Sequence, residues 1–262
     1  MSVIDSRAIV SPTARLGCDV RIEAFALVGD EVELGDRCVV HSHAVVHGPS
    51  WFGRGNVFHS FCSVGGDPQD LTYKGERAEL IAGDENIFHE YCTINRGTAK
   101  GGAVTRVGSH NLFMAYAHVG HDSQIGDHTV FVNAATLAGH VVVEDYATIG
   151  AFCPVHQFCR IGKHAYIAAF TVITQDVLPF AKVVAPRDTR TLGLNAIGLE
   201  RNGFSKQRID ELEKAYRILF RSKLNTTQAL AELRAMNPSS PDVEELIAFL
   251  DHSLRGERGV TK

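Results

Sequence analysis

The sequence predicts a mainly β fold, a parallel β-helix that ends in a small α-helical domain. Three observations predict it. Apolar residues recur at every sixth position, a small residue stands two before most of them, and the rule of six gives way to helical periodicity after Ile173.

The repeat begins near the N-terminus. Counting in sixes from Val10 meets Leu16, Ile22, Val28, Leu34, Val40, Val46, Phe52, Phe58 and Val64, all apolar. A second run steps from Val107 to Ile173 without a miss, and Ala82, Phe88 and Ile94 keep the step between the two. An α-helix repeats every 3.6 residues and a strand every two, so neither alone gives a period of six. Short strands joined by corners do, with the recurring apolar residue pointing into a prism. If three hexads close one coil, residues one coil apart stack at about 4.7–4.9 Å, the spacing of neighbouring strands.

Glycine often follows the apolar residue, as in Leu16-Gly17, Val28-Gly29 and Ile149-Gly150, which suggests corners whose backbone angles disfavour a Cβ. The residue two before is mostly alanine or cysteine. Cys38, Cys62, Cys92, Cys153 and Cys159 all take that place, and Cys18 does not. These cysteines read as packed thiols rather than ligands or disulfides, which fits a reducing compartment.

Two segments break the repeat and must leave the prism: GGDPQDLTYKGERAE (Gly65 to Glu79) and GTAKGGAV (Gly97 to Val104). Excursions from a strict solenoid lie on its surface and often carry function. Beyond Ile173, Pro179 and Pro186 mark a linker, which divides the chain into a β-helix over 1–186 and a helical domain over 187–262. Ser205 reads as the N-cap of an amphipathic helix with Ile209, Leu212, Tyr216 and Leu219 on one face. A second helix is expected over roughly Thr227–Met236 and a third from Ser240-Pro241. So small a domain should pack on the prism.

A formal charge of -4 argues against a nucleic-acid binder. The start, MSVIDSRAIV, has neither the basic nor the apolar part of a secretory signal. No apolar run approaches the roughly 20 residues that span a bilayer. The expectation is a cytoplasmic protein with no transmembrane segment.

The stretch AHVGHDSQIG carries the chemistry. His121 lies two after the inward Val119, and one coil further on lies Gly139, beside His140. His156 falls one coil past position 138, so His121, His140 and His156 are expected on successive rungs at one edge, with His118 at the preceding corner. Asp122 favours an acid–base reading, since a carboxylate that accepts from one ring nitrogen leaves the other free to take a proton. Zinc is the competing reading. γ-Class carbonic anhydrases bind it through three histidines, with a pair five apart where this pair is three apart. In the cluster His41, His43 and His47, His41 and His47 are one hexad apart and so belong to different faces, which argues against a metal site there.

Over nearly its full length the chain resembles the bacterial acyl-[acyl-carrier-protein]–UDP-N-acetylglucosamine O-acyltransferases. The carrying motifs are GGDPQDLTYKGE, TINRGT, NLFMAYAHVGHDSQIGD, NAATLAGHV, VHQFCRIG and GLNAIGLERNGFS. The resemblance implies a left-handed coil and a homotrimer with its active site between subunits. It also implies an acyl donor on the phosphopantetheine of acyl carrier protein, and no metal or separate cofactor. In that family the histidine matching His121 is the general base toward the 3-hydroxyl of the sugar, Asp122 matches its orienting partner, and the Gly139 N–H matches the oxyanion donor. Gln69, Asp70, His118 and His140 match substrate contacts, while His156, Gln157, Asn195 and Arg201 match the nucleotide end. Ala169 matches the position that limits acyl-chain length.

The chain departs from the family in places. Thr72 stands where a lysine is common, Asn202 replaces a possible phosphate-binding arginine, and Ile197 replaces a glutamate facing the nucleotide. A basic dock for the acidic carrier protein is expected among Lys206, Arg208, Arg217, Arg221 and Lys223, which read equally well as a solvated helix face. The alternatives are acyl transfer to a 3-amino UDP-sugar, the later N-acyltransferase of the pathway, a zinc lyase, and a scaffold without chemistry. The N-acyltransferase carries an added N-terminal domain, for which hexads beginning by Val10 leave no room.

Overall fold

The computed structural model describes residues 2–184, 190–236, 240–255 and 259–260. Pro186 and the boundary expected between 186 and 187 lie outside the described residues.

Each hexad forms a strand of two to four residues. Among the described residues the strands make three sheets of 11, 8 and 8 strands, each collecting every third strand along the coil, with the last two strands of the chain added to the end of the largest. Pairing is parallel with an offset of one coil, as in Val3↔Arg21 and Val39↔Val57. Across the first excursion the partners become Val57↔Ile87, and across the second Ile87↔Leu112, after which the regular offset returns with Leu112↔Val130. The excursions therefore sit between Ser63–Gly66 and Glu79–Ala82, and between Thr93–Asn95 and Val104–Val107. The coil resumes its register after each. A hairpin closes the prism, Ala181–Val184 running antiparallel to Arg190–Leu194.

The inward side chains pack as columns. Phe58, Phe88, Phe113 and Phe131 stack at centroid distances of 5.1, 5.2 and 4.8 Å, all fully buried. Burying large rings while every strand pairs on both sides supplies most of the stabilisation of such a coil. The five inward cysteines are buried and free, and Cys18 is exposed and free. Burial pushes the Cys62 thiol up to about 12, which makes it a poor nucleophile or ligand.

The glycines do another job than expected. Gly17, Gly126 and Gly150 are absent from the positive-φ residues, yet an added Cβ would lie 2.4–2.8 Å from atoms of the next coil. Close approach of rungs excludes a side chain there. The left-handed corner falls instead three residues after the inward one, where Phe25, His43, Asp122 and His140 adopt it at φ of 61–63°.

Among the described residues four α-helices follow: α1 (Ala196–Arg201), α2 (Lys206–Arg221), α3 (Thr226–Ala235) and α4 (Pro241–Arg255). Ser205 caps α2, and Asn225 with Gln228 forms a reciprocal capping box on α3. Short α1 was not anticipated, having no periodic face to betray it. Leu212, Tyr216 and Leu219 are buried, the Tyr216 hydroxyl donates to the Pro179 carbonyl, and Arg160 lies 5.2 Å from the Phe249 ring. The helices pack on the last coils.

Candidate active site

His121 and Gly139, one coil apart in the sequence, meet as the repeat requires. A Cβ placed on Gly139 would lie 2.5 Å from Cε1 and 2.7 Å from Nε2 of His121, so only glycine leaves room for that ring. Gly139 is buried, and its N–H donates to no group among the described residues. Asp122 follows on the left-handed corner, which turns its carboxylate back under the imidazole, with His121 Nδ1 and Asp122 Oδ2 2.7 Å apart. With Nδ1 engaged, Nε2 is the nitrogen left to exchange a proton.

The second excursion explains how Asp122 is held. Its carboxylate is fully buried and takes two bonds from Thr98: N–H to Oδ1 at 2.7 Å and Oγ1–H to Oδ2 at 2.6 Å. A short 3-10 turn at Ala99–Gly101 roofs it, and a Cβ on Gly101 would fall 2.1 Å from the carboxyl carbon. Thr105 Oγ1 accepts from the Asp122 backbone N–H at 2.8 Å. Sequence reasoning missed Thr98, Gly101 and Thr105; the only trace was the break in the repeat.

Of the other histidines, His118 departs from expectation, while His140 and His156 keep to the edge of His121 on successive rungs. His118 lies on the strand His118–Val119 rather than a corner, its Nδ1 2.7 Å from Thr93 Oγ1, and burial, then the charge of His121, lowers its pKa. His140 sits on the corner one rung beyond Asp122, edge-on to His121 at 5.2 Å and stacked on Phe158 at 4.8 Å. Its Nε2 is 3.5 Å from Asp122 Oδ2. His156 is exposed with Nδ1 3.1 Å from the Gln157 carbonyl. His121, His140 and His156 thus occupy neighbouring columns, because a one-residue difference in phase moves a side chain to the next facet of a corner.

The first excursion reaches the same place. Asp70 Oδ1 accepts from Thr72 N–H and Oγ1–H at 2.7 and 2.9 Å. These bonds hold its carboxyl below the usual range, with His121 and Lys100 adding smaller effects. Lys100 Nζ donates to Thr72 Oγ1 at 3.0 Å, which ties the two excursions together. Gln69 is exposed beside Asp70.

Asn195 and Arg201 fall at a separate cleft of about 470 Å³, lined also by Tyr166, Lys182, Ile197 and Asn202. Asn195 Nδ2 donates to the His164 carbonyl at 3.0 Å, and Gly198 packs against the Asn195 amide, where a Cβ would lie 2.3 Å from Nδ2. Lys182, unanticipated, brings a cation to the wall where Asn202 stands in place of arginine. His156 and Gln157 do not line this cleft within one chain. Ala169 is exposed beside Phe170, which stacks on Phe152 at 5.2 Å.

The profile described as Udp N-acetylglucosamine O-acyltransferase, Domain 2, matches residues 176–260, and the bacterial transferase hexapeptide profile matches 13–48. An acyl-[acyl-carrier-protein]–UDP-N-acetylglucosamine O-acyltransferase of Stenotrophomonas maltophilia strain K279a is 43% identical over 252 residues, 96% of each chain. The enzyme of the same name from Alkalilimnicola ehrlichii is 45% identical over 256 residues, 98% of this chain and 99% of its own. The chain belongs to this family. The solved Acinetobacter baumannii LpxA superposes with a TM-score of 0.94 at 36% identity, covering 99% of this chain and 100% of its own. The Francisella novicida UDP-N-acetylglucosamine acyltransferase gives 0.94 at 34%, covering 99% and 94%. The fold is accordingly the family's left-handed parallel β-helix.

Donor chemistry bears on the zinc reading. His121, Asp122 and His140 offer ligand atoms within 4.8 Å of one another. Both Asp122 oxygens, however, already accept hydrogen bonds, from Thr98 and toward His121, so a metal would have to dismantle that arrangement. No helix among the described residues is long and apolar enough to cross a membrane.

Proposed function

We propose that the protein transfers a 3-hydroxyacyl chain from acyl carrier protein to the 3-hydroxyl of the glucosamine unit of UDP-N-acetylglucosamine, the first step of lipid A synthesis, with His121 as general base. The observation that carries the mechanism is the Asp122–His121 pair at 2.7 Å set one rung from Gly139, whose N–H has no partner among the described residues.

His121 Nε2 takes the proton of the hydroxyl while its oxygen attacks the thioester carbonyl carbon. Negative charge gathers on the carbonyl oxygen, where the Gly139 N–H, without a partner among the described residues, donates to it, a contribution typically worth about 2.7–4 kcal/mol. The C–S bond then breaks, and the proton held by His121 passes to the departing phosphopantetheine sulfur. Asp122 supports the imidazolium between these steps through its contact with Nδ1. His118, His140, Gln69 and Asp70 surround the acceptor sugar. Asn195, Arg201, His156 and Gln157 serve the nucleotide, and Ala169 beside Phe170 lies toward the end of the acyl chain.

Assembly as a homotrimer is part of this reading. Its support is that the Asn195–Arg201 cleft and His156–Gln157 lie apart on one chain, so a neighbour is needed to unite them. No metal is invoked, since the acid–base pair supplies the chemistry and the thioester supplies the leaving group. The working location is the cytoplasm, where the carrier protein and sugar nucleotide are found together.

The test is mass spectrometry of the product after incubating the protein with UDP-N-acetylglucosamine and a ladder of 3-hydroxyacyl carrier proteins. One chain length should be taken up as a base-labile ester. An unchanged sugar nucleotide across the ladder, with the 3-amino analogue acylated instead, would transfer the assignment to N-acylation.

A further inference from the structure

We infer that Thr98 is a positioning residue for catalysis: through its N–H and hydroxyl it fixes the Asp122 carboxylate, and so sets the orientation and basicity of His121. The inference rests on the general-base reading above.

Asp122 has two oxygens and no exposed side-chain surface, so bulk water does not reach it and protein groups must satisfy it. Thr98 N–H takes Oδ1, while Thr98 Oγ1–H and His121 Nδ1 share Oδ2. The hydroxyl is thus a direct competitor of the imidazole for one oxygen. Each hydrogen bond Thr98 gives draws negative charge off Oδ2 and tempers the pull of the carboxylate on the imidazolium. The arrangement is rigid on every side: Thr98 is buried, its Oγ1 also accepts from Gly101 N–H at 3.3 Å, and Gly101 lies against the carboxyl group with no room for a Cβ. A buried carboxylate with a single partner would satisfy the imidazole at lower structural expense. The excursion that carries Thr98 instead leaves the prism and returns to register, its first residues spent on this one group. Other charged or titratable groups nearby are His118, His140, Asp70 and Lys100, and none gives Asp122 a bond as short as those from Thr98 and His121.

The experiment compares Thr98→Val, Thr98→Ala and Thr98→Ser in the full-length protein, with kcat and KM measured across pH. Loss of one charge-assisted hydrogen bond should lower kcat by about 10- to 100-fold in the valine and alanine variants, with KM for the sugar nucleotide little changed. With the hydroxyl gone, Asp122 stabilises the protonated imidazole more strongly, so the acidic limb of the kcat profile should move to higher pH. Serine, which keeps the hydroxyl and drops the methyl, should restore both kcat and the limb. The alanine variant gives the same readout if valine impairs folding. A kcat within twofold of wild type in the alanine variant, or a loss that serine fails to rescue and that leaves the limb in place, overturns the inference. His121→Ala run alongside separates the two layers: if it stays active, the general-base reading falls, and if it is dead while the Thr98 variants are not, only the positioning role does.

Discussion

Among the described residues, two groups of neighbouring imidazoles have a carboxylate within 4.0 Å, and they differ in what surrounds them. Near the N-terminal end His41, His59 and His89 stack at 5.0 and 4.4 Å, with Glu23 3.0 Å from His41, and Glu90 3.8 and 3.2 Å from His59 and His89. In the middle, His121 and His140 share Asp122. The glutamate side chains are 32% and 44% exposed, whereas that of Asp122 is 0% exposed. Above His59 the next rung holds another ring; above His121 it holds Gly139. Stacked histidines with acids nearby are therefore a by-product of the repeat. What makes one set a candidate site is a roofed carboxylate and an open rung.

Removing the imidazole tests that contrast most severely. His121→Ala should lower kcat by about 10²–10⁴-fold with circular dichroism and thermal melting unchanged. Gly139→Ala comes next, because its methyl must push the His121 ring aside. Activity should fall by about 10²-fold, and stability by about 1–3 kcal/mol in a denaturant melt. If alanine at 139 is harmless, the open rung is not what distinguishes the two sets.

A third environment sharpens the comparison. His164 is buried, stacked between Tyr146 at 4.7 Å and Phe180 at 5.8 Å, and its Nδ1 has no partner among the described residues. Burial, then Lys163, holds its pKa down to about 4. The unfolded imidazole takes its proton at about pH 6.5, well before the folded one does, so stability should fall as pH drops from there and level off near 4. The loss is on the order of 3 kcal/mol, and His164→Phe, which keeps the stack, should abolish it in melts compared at pH 7 and pH 4.5. The smallest effect belongs to the N-terminal ladder. His59→Gln should leave activity within about twofold and stability within about 0.5 kcal/mol, as measured in the same assays. A larger drop in activity would mean that this ladder, too, works on substrate.

Much of this was legible before any coordinates. The step of six named nearly every inward residue, and with it the buried cysteines and the pairing of His121 with Gly139. The separation of His41 from His47 was legible as well: His41 stacks on His59, and His47 lies 3.2 Å from Ser63 Oγ. One placement failed: His118 lies on a strand rather than a corner. That choice, like the separate columns that His121, His140 and His156 take at their shared edge, depends on phase within a hexad, which the apolar residue alone does not fix. The role of glycine was also misread, since close contact between rungs leaves the same mark in a sequence as a positive φ.

The sequence by itself determined the coil, its core and which residues share a level, because a constant rise per turn converts spacing directly into height and direction. Only the tertiary structure decided that Thr98 and Gly101 enclose Asp122, that Lys100 joins the two excursions, and that Lys182 enters the cleft of Asn195 and Arg201. Those contacts form where the chain leaves its period, and there the path is set by which groups must be buried and bonded rather than by counting.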